Sequence, residues 1–225
     1  FLIPTERKLL SNQPIILCPG QGAQVIGMGK SWSDASSAAK RIFDRADEIL
    51  GDRLGAPLSQ LCFEGPAERL NRTDIAQPAL YVAGVASFHG EFGGLGSSEL
   101  AAAAGLSLGE YTALHIAGAF SFEDGLELVT LRGRAMQDAA EAADSSMVAL
   151  IGADEQQANA VCDAARGDGV LVPANFNAPG QIVISGPGIP IITAIPPMLS
   201  APEPPLRVTG RICSFVMRRP IASNA

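Results

Sequence analysis

Short apolar runs alternate with longer helical patterns along residues 1–186, and this alternation constrains the fold more than any other feature. Residues 15–18 and 100–104 are short apolar runs, and each ends at a turn signal. Such β–α alternation predicts an α/β domain with a mostly parallel sheet and helices on both faces. Helices are predicted at residues 33–50, from Thr73 or Asp74 through Val82, at 108–117 and at 122–142.

The pattern changes near Met147. A strand at 147–151, a helix at 155–165 and strands at 170–172 and 181–185 are predicted there. This β-α-β-β order is most of a small split βαβ unit.

The last 39 residues differ from the rest in both proline and charge. Residues 187–225 hold eight of the 16 prolines and a charge of +3, whereas residues 1–186 carry −10. Proline stops helices and central strands, so this tail is not expected to continue the preceding pattern. We therefore predict a large α/β domain at 1–143, a partial small subdomain at 144–186 and an atypical tail at 187–225.

Composition excludes several classes of function. A net charge of −7 and 5% aromatic residues argue against a nucleic-acid partner. No apolar stretch reaches the roughly 20 residues of a membrane span, and the first residues show no export signal, so neither a membrane nor secretion is expected. The four cysteines are widely spaced and are predicted to be reduced thiols, three of them in the core, which indicates a cytoplasmic protein.

The motif Gly105-Leu106-Ser107-Leu108-Gly109 matches GxSxG between a predicted strand and a predicted helix. In this context the serine lies on a tight nucleophile elbow, where the helix N-terminus offers free N–H groups to an oxyanion. Ser107 is therefore the candidate nucleophile. A glycine-rich turn with an incidental serine is the alternative.

A serine nucleophile needs a base, and no base for Ser107 is found in this chain. The two histidines are His89 and His115. His115 lies eight residues after Ser107 on the same predicted helix, about 12 Å along its axis, which is beyond hydrogen-bonding reach. Both are interpreted as packing or surface histidines.

Pro19-Gly20-Gln21-Gly22-Ala23-Gln24 follows the first predicted strand. The third glycine of a dinucleotide fingerprint is missing, since Val25 stands in its place, so a nicotinamide site is rejected. No metal site is predicted either. The turn could supply a second backbone N–H donor beside Ser107, or it could simply need a positive φ.

Five segments in this order resemble the malonyl-CoA:acyl-carrier-protein transacylase family, the discrete acyltransferase of fatty-acid synthesis. The resemblance covers roughly residues 14–186, and the chain looks like a C-terminally truncated member. The segments are Pro19–Gln24, Gln77-Pro78-Ala79-Leu80, Gly105–Tyr111, Leu131-Arg132-Gly133-Arg134-Ala135-Met136-Gln137 and Asn175-Phe176-Asn177-Ala178-Pro179-Gly180-Gln181.

The resemblance implies a hydrolase-like α/β fold with a ferredoxin-like insert, incomplete here at the C-terminus. It implies that Ser107 is acylated and that the backbone N–H groups of Gln21 and Leu108 form the oxyanion hole. It also implies that Arg132 binds the malonyl carboxylate and that Gln21 is a second substrate-binding residue. A planar guanidinium grips a carboxylate with two charge-assisted hydrogen bonds, which favours malonyl over acetyl groups.

The implied reaction is ping-pong acyl transfer. Ser107 takes the malonyl group from malonyl-CoA, and the phosphopantetheine thiol of acyl carrier protein then removes it. No metal or redox cofactor is needed, and coenzyme A enters as the substrate's thioester.

The chain departs from the family at two places. Leu106 stands where a histidine usually precedes the serine. After Gly186 the tail contains neither histidine nor the segments that complete the family fold, so we predict a shifted reading frame or a mispredicted gene end from about residue 187. A serine esterase of the α/β-hydrolase type, or an inactive truncated remnant, are the alternative functions.

Overall fold

The computed structural model describes residues 13–93, 99–142 and 146–186, and the backbone of 207–209. The chain divides into two compact units, with the described residues up to Gln137 in the first and those from Asp138 in the second. The predicted boundary at 143 lies six residues beyond this division. Residues 187–206 and 210–225 of the predicted tail lie outside the described part.

The first unit contains a two-stranded parallel sheet. Strand β1, Ile15–Cys18, pairs with β2, Ala102–Gly105, in a register that places Cys18 beside Gly105. Because the strands are parallel, the loops that follow them leave the sheet at the same edge. Both loops carry predicted site residues.

Helices make up most of the first unit. They are α1 Lys30–Ala35, α2 Ser37–Leu50, a 3₁₀ turn Gly51–Leu54, α3 Leu58–Glu64, α4 Ala67–Leu70, α5 Thr73–Phe92, α6 Leu108–Ile116 and α7 Phe122–Ala142, whose last five residues belong to the second unit.

Helix α5 lies at the centre of the core of the first unit. Twelve of its 20 residues are buried, and they lie on every side of the helix, as expected of a helix without a polar face. Phe43, Leu61, Leu108 and Leu126 come from other elements and belong to the same core.

The single helix predicted at 33–50 is two helices. Ser36 has an extended backbone, and its side-chain oxygen accepts a hydrogen bond from the N–H of Ala39. Serine in this position caps a new helix, so α1 ends and α2 begins at Ser36.

The second unit is an antiparallel sheet with one described helix. Its elements are β3 Ser146–Ile151, α8 Glu155–Ala165, β4 Val172–Ala178, β5 Gln181–Gly186 and β6 Arg207–Thr209. The strand order β4-β5-β3-β6, with every neighbouring pair antiparallel, is that of a ferredoxin-like sheet. Strand β6 takes the fourth position, although its residues lie past the predicted boundary at 186.

The strand predicted at 170–172 was placed wrongly. Strand β4 begins at Val172 and continues through Asn175 and Phe176, which pair with β5. These residues lack an apolar alternation, and pairing with β5 decides their conformation. Within the described residues no helix is long and apolar enough to cross a bilayer.

Candidate active site

Ser107 occupies a strained turn between β2 and α6. Its φ of 54° and ψ of −102° make it the one non-glycine residue with positive φ in the described part of the chain. Such a conformation costs on the order of 1–3 kcal/mol and persists only where surrounding contacts hold it. The strand-to-helix context predicted from GxSxG is thus present, with Ser107 at its apex.

Close backbone contacts hold the turn, and glycines make them. A Cβ on Gly105 would lie 2.0 Å from the carbonyl carbon of Gly109, and one on Gly109 would lie 2.1 Å from the carbonyl oxygen of Cys18. Real Cβ atoms do not approach so closely, so only glycine fits at either position. The first and last glycines of the motif therefore bring α6 directly against β1 and β2.

The loop after β1 packs against this turn. A Cβ on Gly20 would lie 2.5 Å from the carbonyl oxygen of Leu106, and the N–H of Leu106 donates to Cys18 at 3.3 Å. Gln21 therefore lies in the loop that borders the elbow, and Leu108 is the buried first residue of α6. The first N–H groups of a helix have no partner within it. Convergence of the Gln21 and Leu108 N–H groups on one oxyanion stays a prediction.

The Arg132 side chain reaches Ser107 from α7. Its Nη2 donates to Ser107 Oγ at 2.9 Å, and its Nη1 donates to Gln77 Oε1 at 2.7 Å. The guanidinium carbon also lies 5.7 Å from the centroid of the Tyr111 ring, within the range of a cation–π contact. Arg132, predicted from the resemblance to bind a carboxylate, thus contacts the candidate nucleophile.

Gly133 lets α7 approach α5 closely enough for this contact. A Cβ on Gly133 would lie 2.9 Å from the carbonyl oxygen of Thr73 and 3.4 Å from Cβ of Gln77. The neighbouring Arg132 can therefore reach both Gln77 on α5 and Ser107 before α6.

Gln77 and Tyr111 were part of the motifs but had no predicted role. Gln77 is fully buried, and its Nε2 contacts the Met136 sulfur at 3.2 Å, which is a weak acceptor. Its strong hydrogen bond is the one that it accepts from Arg132. The burial of a polar side chain beside the elbow is what indicates a role for Gln77, and burial cannot be read from the sequence.

Both histidines pack among aromatic rings. His115 Nδ1 is 3.2 Å from the carbonyl oxygen of Phe120, and its ring packs against Tyr81, Phe122 and His89. Burial lowers the pKa of both rings, and the neighbouring imidazole lowers that of His89 further. They belong to an aromatic cluster at the other end of α6.

The described residues offer no metal centre. They contain no group of three or more His, Cys, Asp or Glu side chains that could hold an ion. The candidate site brings together a strained serine, the N–H groups at the start of α6 and one arginine, which are groups that acyl transfer through a covalent intermediate uses.

Comparison with known proteins relates the chain to acyl transferases. The family model described as "Acyl transferase domain" matches residues 15–198, twelve residues farther than the resemblance seen by inspection. The chain is 43% identical over 206 residues to the malonyl CoA-acyl carrier protein transacylase of Bacillus subtilis, covering 90% of this chain and 63% of the relative. It is 40% identical over 168 residues to that of Escherichia coli K12, covering 75% and 53%.

Solved structures of transacylases are also similar to this chain. The malonyl CoA-acyl carrier protein transacylase of Coxiella burnetii superposes with a TM-score of 0.74 at 33% identity, covering 90% of this chain and 63% of that one. A type II polyketide synthase malonyl-transacylase, solved with its acyl-carrier protein, gives 0.71 at 33% identity, covering 88% and 63%. The predicted fold class is confirmed. The chain spans between about half and two thirds of the length of these relatives.

Proposed function

The chain belongs to the acyl transferase domain family, and on that premise we propose that it transfers a malonyl group from malonyl-CoA to the phosphopantetheine thiol of acyl carrier protein. The intermediate is a malonyl ester of Ser107. The proposed reaction serves fatty-acid synthesis. The relatives of the chain that are named malonyl CoA-acyl carrier protein transacylase support this assignment.

The contact between Arg132 and Ser107 is the observation that carries the proposal. One methylene separates the two carbonyl carbons of a malonyl group, so a carboxylate held by the guanidinium keeps the thioester carbon close to the serine. Nη2 lies 2.9 Å from Oγ, and each terminal nitrogen has a second N–H for a ligand. An acetyl group would leave that cation without its anion.

Each half-reaction exchanges one acyl bond for another. Ser107 Oγ attacks the thioester carbonyl and forms the ester bond, the carbon–sulfur bond breaks, and the serine proton ends on the sulfur of coenzyme A, which departs as the thiol. The carrier's thiol then attacks the serine ester and forms the new thioester, the bond from the carbonyl carbon to Oγ breaks, and the proton of the thiol ends on Oγ. Both tetrahedral intermediates place a negative charge on the former carbonyl oxygen, for which the N–H groups of Gln21 and Leu108 are the proposed donors.

The proposal assigns no base among the described residues, because both histidines of the chain lie in the aromatic cluster. It involves no redox cofactor, since acyl transfer between thiols changes no oxidation state, and it assigns no step to a metal. It includes a cytoplasmic location, which the free buried thiols of Cys18, Cys62 and Cys162 support. No nucleic acid or membrane takes part.

Intact-mass spectrometry after incubation with malonyl-CoA tests the proposal. We expect a gain of one malonyl group, located on Ser107 by peptide mapping and lost on addition of phosphopantetheinylated acyl carrier protein. Ser107→Ala is expected to abolish the adduct. Hydrolysis of simple acyl esters without a preference for malonyl would favour the esterase. The absence of an adduct with any acyl-CoA would favour an inactive remnant.

A pair of arginine variants separates carboxylate recognition from general charge. Arg132→Met is expected to reduce the malonyl adduct by about tenfold or more, since a charge-assisted pair contributes 1.5–3 kcal/mol. Acetylation from acetyl-CoA should fall less. Arg134→Met, on the exposed side of the same helix, is the control and should retain the malonyl preference. Equal losses in the two variants would contradict the role of Arg132.

A further inference from the structure

Two side-chain bridges tie the loop that carries Gln21 to the start of α5. Gln21 Nε2 donates to Thr73 Oγ1 at 3.1 Å, and Gln24 Nε2 donates to Asn71 Oδ1 at 3.0 Å. Within the loop, the N–H of Gly22 donates to Gln24 Oε1 at 2.8 Å. Gln24 thus links a backbone N–H of the loop to the residues that precede α5.

The opposite side of the same loop packs against the elbow. The contact is so close that a Cβ added to Gly20 would lie 2.5 Å from the carbonyl oxygen of Leu106. The loop is therefore held from two directions. The elbow limits it through backbone contact, and the segment Asn71–Thr73 holds it through side-chain hydrogen bonds. The N–H of Gln21 lies between these two supports along the chain.

The start of α5 is itself anchored from α7. The Arg72 side chain at its N-cap makes no capping hydrogen bond, and the N–H of Thr73 donates instead to Gln137 Oε1 at 2.9 Å. Gln137 lies on the helix that carries Arg132. One chain of hydrogen bonds, through Gln137 and Thr73 to Gln21, therefore joins the helix of the carboxylate-binding arginine to the loop of the proposed oxyanion donor.

We propose that Thr73 is a positioning residue for the oxyanion-hole loop. Its hydroxyl oxygen accepts a hydrogen bond from the Gln21 side chain, and its backbone N–H is held by the side-chain oxygen of Gln137. The inference rests on the proposed function, since it takes the N–H of Gln21 as an oxyanion donor. An oxyanion donor acts mainly in the transition state, and a displacement of about 1 Å in a catalytic group can cost about a hundredfold in rate.

Thr73→Val removes the hydroxyl at nearly constant volume and keeps the N–H that Gln137 accepts. We expect kcat for malonyl transfer to fall by about tenfold to a hundredfold and KM to change less, because an oxyanion donor acts mainly in the transition state. Thr73→Ser keeps the acceptor and should restore kcat. Gln137→Met should behave like Thr73→Val, and Gln137→Glu, which retains an acceptor, should not.

Hydrogen exchange of the Gln21–Gln24 amides provides a readout that needs no activity. Thr73→Val is expected to speed exchange there while the amides of α7 keep their protection. Thr130→Val is the matched control, since Thr130 is also half-buried and its hydroxyl donates only within α7, to Leu126. It should change neither kcat nor exchange in the loop.

The outcomes separate this inference from the proposed function. If the wild type transfers malonyl and Thr73→Val retains its kcat, or loses it without faster exchange in the loop, the positioning role is overturned. If the wild type transfers no malonyl, the proposed function fails, and faster exchange in Thr73→Val still supports Thr73 as the anchor of the loop.

Discussion

Ser107 has a backbone conformation that L-residues rarely adopt, and the contacts that maintain it come from glycines. Gly105 lets β2 lie against the backbone of Gly109 in α6, and Gly109 lets α6 lie against the carbonyl oxygen of Cys18 at the end of β1. The motif was readable from the sequence because the glycines that it requires follow from this steric crowding. The contact of Arg132 with Ser107 was not readable, since 25 residues separate them.

Gly109→Ala tests the crowding. Alanine in a helix is ordinarily more stable than glycine by about 0.5–1 kcal/mol. Here the added Cβ meets a backbone oxygen, so we expect a loss of about 1–3 kcal/mol in the free energy of unfolding and less Ser107 adduct, measured by urea unfolding and intact mass. Gly84→Ala on α5 is the comparison: its Cβ would lie 3.0 Å from a Thr112 methyl, a tight contact with a side chain rather than with backbone, so a smaller loss is expected, and equal losses would contradict the argument.

Helices α5 and α6 meet through a cluster of aromatic rings that contains both histidines. The ring centroids of His89 and His115 are 6.3 Å apart, and Tyr81, Phe88 and Phe122 surround them. Burial lowers both pKa values, while the Phe120 carbonyl and Glu123 partly oppose this for His115. The neutral rings therefore belong to the folded state.

The stability of this pairing is expected to depend on pH. The folded pKa values lie below the unfolded value near 6.5, so the unfolded chain binds more protons in acid. The free energy of unfolding should be at its full value above pH 6.5 and fall as pH drops through the folded pKa values. Urea unfolding at several pH values measures this, and His89→Gln should flatten the slope between pH 7.5 and 5.5. An unchanged slope would show that carboxylates dominate.

The element boundaries that the sequence predicted well are those with local signals. Helix α8 begins at Glu155, after the N-cap Asp154 that forms a capping box with Gln157, and α7 has the predicted limits. The errors arose where long-range pairing decides the conformation. Val172–Ala178 has no regular alternation and becomes a strand because β5 pairs with it.

Each of the three hydrophobic cores that the described residues form contains one buried cysteine. Cys62 belongs to the main core of the first unit, Cys18 to a smaller cluster there, and Cys162 to the core of the second unit. Burial raises the pKa of Cys18 to about 11 and that of Cys62 to about 12, and also raises the pKa of Cys162. The three thiols therefore report on the integrity of separate cores.

Thiol alkylation of the native chain should be slow at all three positions. The thiolate reacts, and its fraction falls tenfold for each unit of pKa, so Cys18 is expected to react at least about a hundredfold more slowly than in the unfolded chain. Mass spectrometry of labelled peptides gives each rate, with the chain in concentrated urea as the control. Rapid labelling of Cys162 alone would show that the second unit opens independently.

The fold class, the candidate nucleophile and the resemblance to acyl transferases were determined by the sequence itself. Glycine spacing, hydrophobic periodicity and helix caps are local requirements, and each is visible within a few residues. The tertiary structure alone decided how Arg132, Gln77 and Ser107 meet, and how Gln137 and Thr73 support the loop of Gln21. These contacts join residues 25 to 64 positions apart, and only the packing of α5, α6 and α7 brings them within hydrogen-bonding distance.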